Sequence, residues 1–226
     1  MKICGIDEAG RGPVIGPLVI CAYCLEEENL VKLQKLKIKE SKQLTPTKRA
    51  NFYKKLITLS KDFCCAIVSA NEIDLRASKG LNINELEALK IANLLDTLKP
   101  DVAYIDSPIS PDGAKFSSMI ERFLEHKGIK LIAEHYADVK YLIVAAASII
   151  AKVTRDREIE KIKKELGVDF GSGYPADPIT MKFLKENWKN PNVSKYIRKS
   201  WGTIQDLKSF NNQKTLSDFE NKCERA

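Results

Sequence analysis

Two short apolar runs in this chain end on carboxylates. Lys2-Ile3-Cys4-Gly5-Ile6 runs into Asp7 and Glu8, and Val102-Ala103-Tyr104-Ile105 runs into Asp106. Short apolar runs bounded by turn residues predict β-strands. An acid where a strand core should be carries a large desolvation penalty unless a cation or hydrogen-bond donors offset it. Strand ends of this kind are where sites collect in open α/β sheets, although each acid taken alone also reads as an ordinary strand end or solvated side chain.

The remaining elements follow from turn chemistry and periodicity. Strand 2–7 gives way to Gly10, Gly12, Pro13, Gly16 and Pro17, a loop leading to a second strand over 18–25 in a hairpin-like start. Adjacent strand residues face opposite ways, so Asp7 and Glu8 reach one site only if the chain turns at Glu8. Residues 32–39 alternate Lys with apolar residues and are ambiguous. Thr45-Pro46 predicts an N-cap and first helical residue, ahead of a helix carrying Tyr53, Leu56 and Ile57 on one face. A third strand over 63–69, a helix over 84–98, strand 102–106, a helix carrying Phe116, Met119, Ile120 and Phe123, and a strand over 129–133 follow. A long helix is expected over 139–166, ended by Gly167 and the Gly171-Ser172-Gly173-Tyr174-Pro175 loop. From Pro178 the chain reads as short helices and coil. Three early strands and then βα alternation predict an α/β fold, a mixed sheet covered by helices, with a helical C-terminal part.

The charge balance points to an anionic partner. The chain has 37 Lys and Arg against 30 Asp and Glu, a net charge of +7. The excess sits in two blocks: residues 32–55 hold nine Lys or Arg and one acid, and residues 182–225 hold ten against five. Such blocks form either the walls of a nucleic-acid groove or solvated helical faces. The first ten residues contain Asp7 and Glu8 in place of an apolar leader, so the six cysteines read as reduced thiols of a cytoplasmic protein. Cys21 and Cys24, three apart in a strand, point to opposite faces and form a poor zinc pair. The longest apolar stretch, Leu142 to Ala151, is too short to cross a bilayer.

Asp138 lies between a strand and the apolar start of the long helix; it either caps that helix or joins the other acids. Close carboxylates repel unless cations neutralise them, and hard Mg²⁺ or Mn²⁺ ions prefer such oxygen donors. Gly10-Arg11-Gly12 lacks the spacing of a P-loop or a dinucleotide fingerprint, but its glycines let backbone groups approach a ligand closely. Tyr174 either stacks on a sugar or base or packs on the surface. His126 and His135 have no metal-ligand partners at suitable spacing. A structural role is the simpler reading of His135, with proton transfer beside Asp138 as the alternative.

The string Gly5-Ile6-Asp7-Glu8-Ala9-Gly10-Arg11-Gly12-Pro13, continuing to Gly16-Pro17, resembles the N-terminal signature of ribonuclease HII. Later stretches match in order: Ser41-Lys42-Gln43-Leu44-Thr45 with Arg49, although no aspartate precedes Ser41; Tyr104-Ile105-Asp106-Ser107; Ala137-Asp138-Val139-Lys140-Tyr141; residues 146–156; and Gly171 to Pro175. The resemblance spans roughly residues 2 to 210 and is to the compact archaeal form.

The resemblance implies an RNase H-like five-stranded mixed sheet flanked by helices over 1–175, and a helical substrate-binding region over 176–226. It implies that Asp7, Glu8, Asp106 and Asp138 are catalytic and hold Mg²⁺ or Mn²⁺, two ions with substrate bound, with Asp7 bridging. Gly10, Arg11 and Gly12 would sense the ribose 2′-hydroxyl, largely through backbone groups, and Tyr174 would stack on the sugar next to the junction. Lys42, Thr45 and Arg49 would contact phosphates, while Lys152, Arg155 and Asp156 serve either substrate or fold. The implied reaction is two-metal hydrolysis of the RNA strand of RNA/DNA hybrids, and of duplex DNA at embedded ribonucleotides, leaving 3′-hydroxyl and 5′-phosphate ends. The implied protein is a monomer with no membrane association, acting on RNA/DNA hybrid and ribonucleotide-containing duplex, with its protein partners left open. The competing readings are a non-catalytic hybrid- or RNA-binding module on the same fold and a DNA-directed nuclease of the wider carboxylate superfamily.

Overall fold

The computed structural model describes residues 1–38, 45–60, 62–109 and 112–212. Five strands, β1 (Lys2–Ala9), β2 (Leu18–Glu26), β3 (Phe63–Val68), β4 (Val102–Asp106) and β5 (Lys130–Glu134), form one sheet in the order β3-β2-β1-β4-β5. β1 pairs antiparallel with β2 and parallel with β4, so the expected mixed sheet is present with β1 at its centre. Helices α1 (Leu30–Lys35), α2 (Pro46–Leu59), α3 (Ala70–Leu75), α4 (Ile83–Leu98), α5 (Gly113–Phe123), α6 (Ala137–Lys140) and α7 (Leu142–Leu166) complete the chain as far as Gly167. After them come α8 (Pro178–Asn187), α9 (Pro191–Ser194) and α10 (Gly202–Asn212).

Strand alternation sorts the core into two layers. Cys4, Ile6, Ile20 and Cys24 face α4 and α5, meeting Ile91, Leu95, Phe116 and Ile120. Ile3, Val19, Cys21 and Tyr23 face α7 and α2, meeting Ile143, Ala147, Ile150 and Leu56. Cys21 and Cys24 accordingly lie on opposite faces of the sheet, as their spacing predicts. The apolar first half of α7 lies across β1 at very short range. A Cβ on Gly5 would come within 2.2 Å of the Ile143 carbonyl oxygen, so the glycine is a packing requirement of the central strand.

A third apolar cluster ties the C-terminal helices to the loop after β1. Val14 and Ile15 bury against Ile159 and Ile162 of α7 and against Phe183, Leu184, Val193, Ile197 and Ile204. Ile15 and Ile197 also form an antiparallel bridge.

Two expectations need correction. β1 does not end at Asp7; its ladder with β2 continues to Ala9 opposite Val19. The long helix is not continuous from 139, because Tyr141 is extended (φ −115°, ψ 120°) and separates the short α6 from α7. Of residues 32–39, left ambiguous in sequence, 32–35 form the end of α1, and Lys39 lies outside the described residues. Thr45 does cap α2, accepting from the Lys48 N–H at 3.4 Å. No helix among the described residues is long and apolar enough to cross a membrane.

Gly5→Ala is expected to destabilise the fold by about 2 kcal/mol or more, because the clash is with backbone that has no rotamer to yield. Chemical denaturation checks this, and an unchanged midpoint would contradict it.

Candidate active site

β1 and β4 run parallel with Ile6 opposite Ile105, so the next residues along the two strands, Asp7 within β1 and Asp106 at the end of β4, lie side by side. Asp7 points to the α7 face and is only 6% exposed. Its neighbours there are Ser148 and Lys152, and the Lys152 ammonium donates to the Ser148 hydroxyl at 2.8 Å. Glu8 points to the opposite face, toward Glu87 and Arg11, while its N–H donates to Asp7 Oδ1 at 2.7 Å. The expected turn at Glu8 is absent because β2 keeps pairing with β1 through Ala9. The two acids flank the end of one strand from its two faces, and Asp106 interacts electrostatically with both. Asp106 Oδ1 also accepts from the Ala137 N–H at 2.7 Å, which sets half-buried Asp138 one residue along α6 from that anchor. Asp138 is not a helix cap: Tyr136 in left-handed conformation caps α6, and Tyr141 caps α7.

Like charges held out of water raise each other's proton affinity. Burial first, and then repulsion from Glu8 and Asp106, lift Asp7 well above the carboxylate range, with Ser148 and Lys152 pulling it back. Glu8 is pushed up to about 8, first by burial and then by Glu87, with Arg11 opposing. Among the described residues no group of three or more His, Cys, Asp or Glu side chains is drawn tightly enough together to enclose an ion as it stands. The donor set nonetheless fits a hard divalent cation. It is all carboxylate, largely buried and mutually repelling, with one nearby ammonium against three acids.

The loop after β1 lies beside the acids. A cavity of about 350 Å³ is lined by Glu8, Gly10, Arg11, Gly12, Arg49, Lys152, Arg155, Asp156 and Tyr174, whereas Asp7, Asp106 and Asp138 stand outside its lining. Gly10 has φ +85°, and a Cβ there would meet Arg155 at 2.5 Å and the Pro17 carbonyl at 2.7 Å. The Arg11 guanidinium turns away to pair with buried Glu87 of α4 and to donate to Asn84 Oδ1 at 2.6 Å. Tyr174 is 39% exposed, with the Arg155 guanidinium 5.1 Å from its ring centre. Arg155 also donates to the Ser172 carbonyl at 3.0 Å, so one side chain supports both the tyrosine and its loop. Asp177 builds that loop from the other end, accepting from the Ser172 N–H and hydroxyl at 2.7 Å each and from the Ile179 N–H at 2.9 Å.

Of the remaining predicted residues, Arg49 lines the cavity and pairs with Asp156 at 2.9 Å. Thr45 lies outside the cavity lining, its hydroxyl oxygen capping α2. Lys42 falls outside the described residues. His135 stacks on Tyr136 with ring centres 3.9 Å apart, and its Nδ1 lies 3.1 Å from the Ser107 carbonyl oxygen. Sequence reasoning missed Glu87, Ser148, Asp177 and Arg198. Glu87 left a trace, an acid between Leu86 and Ala88 within the apolar pattern of α4. Arg198 left none, being one basic residue in a basic coil segment.

The family model of ribonuclease HII matches residues 4–204. The chain belongs to the ribonuclease HII family. Ribonuclease HII of Pyrococcus furiosus is 47% identical, over 97% of this chain and 98% of its own length. The crystal structure of ribonuclease H2 from Pyrococcus horikoshii is similar with a TM-score of 0.84 and 45% identity, covering 94% of this chain and 100% of its own. A ribonuclease HII of Archaeoglobus fulgidus, solved in complex with PCNA, has a TM-score of 0.80 and 38% identity, covering 96% and 100%. The five-stranded sheet flanked by helices is therefore the RNase H-like fold of this family, and the protein is a ribonuclease.

The Tyr174 loop of this chain should show an acid-dependent stability. Hydrogen bonds from Ser172 first, and also from Ile179 and Thr180, hold Asp177 down to about 2. Its ordinary value is about 3.9, so its contribution is complete above that and disappears as pH falls through about 2. Asp177→Asn should melt below wild type at pH 7, with the gap closing between about pH 4 and pH 2. A gap constant down to pH 2 in thermal melts would contradict this.

Proposed function

We propose that this chain hydrolyses the RNA strand of RNA/DNA hybrids and cuts duplex DNA at embedded ribonucleotides, leaving 3′-hydroxyl and 5′-phosphate ends. The observation that carries the reading is the juxtaposition of two sites. Buried Asp7 and half-buried Glu8 and Asp106, mutually repelling, adjoin a cavity lined by Glu8 itself with Gly10, Arg11, Gly12 and Tyr174. Asp7, Glu8, Asp106 and Asp138 would hold Mg²⁺ or Mn²⁺, two ions with substrate bound. Those ions would supply a deprotonated water and neutralise charge on the phosphate and on the departing oxygen.

The chain's own residues do the positioning. The backbone of Gly10, Arg11 and Gly12 meets the ribose 2′-hydroxyl, which is what separates RNA from DNA at one nucleotide. Arg11 acts there through its backbone, because its guanidinium is committed to Glu87 and Asn84. Tyr174, steadied by Arg155, stacks on the sugar beside the junction. Arg49 and Lys152 bring positive charge to the same cavity and receive phosphates. The helical segment over 176–212 completes the groove, its core shared with the loop after β1. The Archaeoglobus fulgidus relative was solved with PCNA, and a PCNA is the protein partner proposed for this chain.

One assay compares three duplexes: all-DNA, DNA with one ribonucleotide, and a long hybrid. Mg²⁺- or Mn²⁺-dependent cleavage of the second and third but not the first is expected, with Asp7→Asn slower by about a thousandfold or more. Binding without cleavage under either metal would favour a non-catalytic binding module, and equal cutting of all three would favour a DNA-directed nuclease. Tyr174→Ala should lose about tenfold on the lone ribonucleotide, the scale of one stacking contact, and less on the long hybrid. Equal losses on the two would remove the junction role.

A further inference from the structure

Arg198 is fully buried, yet among the described residues all three of its side-chain hydrogen bonds go to backbone carbonyls rather than to a carboxylate. Nη2 donates to Gly10 O at 2.6 Å, Nη1 to Arg11 O at 2.8 Å and Nε to Gly16 O at 3.0 Å. Asp74 and Glu87 act on this charge only at longer range, with no ion pair to Arg198 among the described residues; burying a guanidinium in this way is expensive, and what it gains here is a rigid fork on the backbone of the loop after β1. The adjoining backbone reinforces the clamp: Arg198 N–H donates to Val14 O at 2.9 Å, and Gly16 N–H donates to Tyr196 O at 2.9 Å.

The planarity of the peptide gives this clamp a directional consequence. In a trans peptide the C=O of one residue and the N–H of the next point in opposite directions. Arg198 holds the Gly10 and Arg11 carbonyls, so the N–H groups of the same two peptides, those of Arg11 and Gly12, point away from Arg198, in a loop whose Gly10, Arg11 and Gly12 line the cavity. Gly12 sits under the tyrosine there; a Cβ on it would meet Tyr174 Cε1 at 3.6 Å. The Gly12 carbonyl is held in turn by Trp201 Nε1 at 3.2 Å, and the next residue, Pro13, has no N–H to present. Two adjacent N–H groups pointing away from Arg198 remain, a pair suited to an acceptor oxygen.

We propose that Arg198 is a positioning residue for substrate discrimination, holding the Arg11 and Gly12 N–H groups toward the 2′-oxygen of the ribonucleotide. This rests on the functional reading above, in which the glycine loop meets the ribose. Arg198 touches no substrate; it acts through the loop.

The test measures affinity for two duplexes of identical sequence, one with a single ribonucleotide and one all-DNA, with Ca²⁺ replacing Mg²⁺. Wild type is expected to prefer the ribonucleotide duplex. Arg198→Lys, whose ammonium cannot reproduce the fork, is expected to lose about tenfold of that preference through weaker ribonucleotide binding, with DNA affinity unchanged. In Arg198→Ala, added methylguanidinium is expected to restore the preference, which also covers a lysine variant that misfolds. An unchanged preference in both variants, an equal fall in both affinities, or no return with methylguanidinium would overturn the role of Arg198. A wild type that neither prefers nor cuts the ribonucleotide duplex would instead overturn the functional reading itself.

Discussion

The parallel pairing of β1 with β4 is the constraint from which the rest of this structure follows. It sets Asp7 of β1 beside Asp106 at the end of β4, and Gly5 lets α7 lie close against β1, where Asp7 is buried. There the acids repel, and the proton affinities of Asp7 and Glu8 rise far from their ordinary values. A fold that only needed stability would place apolar side chains at these positions. Retaining carboxylates there makes sense for a protein that binds divalent cations, which turn the repulsion into coordination.

The second constraint is the loop after β1. Its glycines remove steric barriers but do not choose a conformation, and Gly10 alone could adopt several. The choice is imposed from far along the chain by Arg198, the Ile15–Ile197 bridge and Trp201. The C-terminal segment fixes the loop that lies next to the acids, and it shares an apolar cluster with it. A similar division of labour holds Tyr174, with Arg155 of α7 behind the ring and Asp177 ordering the turn.

Much of the fold was legible in the sequence because short apolar runs with Gly and Pro punctuation encode strands and helices locally. The strand Val102–Asp106 and the Thr45-Pro46 helix start are cases in point. Legibility failed where tertiary contacts decide. β1 runs on to Ala9 because β2 still pairs with it, and the break at Tyr141 has no Gly or Pro to announce it. The acids were visible as misfits in apolar runs, and three of them do come within electrostatic reach of one another. Arg198 was invisible, since its meaning lies in three carbonyls more than 180 residues away.

If Asp7, Glu8 and Asp106 form a cation site, their repulsion should appear in the stability of the metal-free protein. The direct measurement is thermal unfolding of wild type and Asp7→Asn at pH 8, first with chelator and then with Mn²⁺. Removing the buried charge should make the metal-free variant melt higher than wild type, and Mn²⁺ should raise the wild-type midpoint while leaving the variant nearly unmoved. A metal-free variant that melts lower than wild type, together with a wild type indifferent to Mn²⁺, would contradict the account.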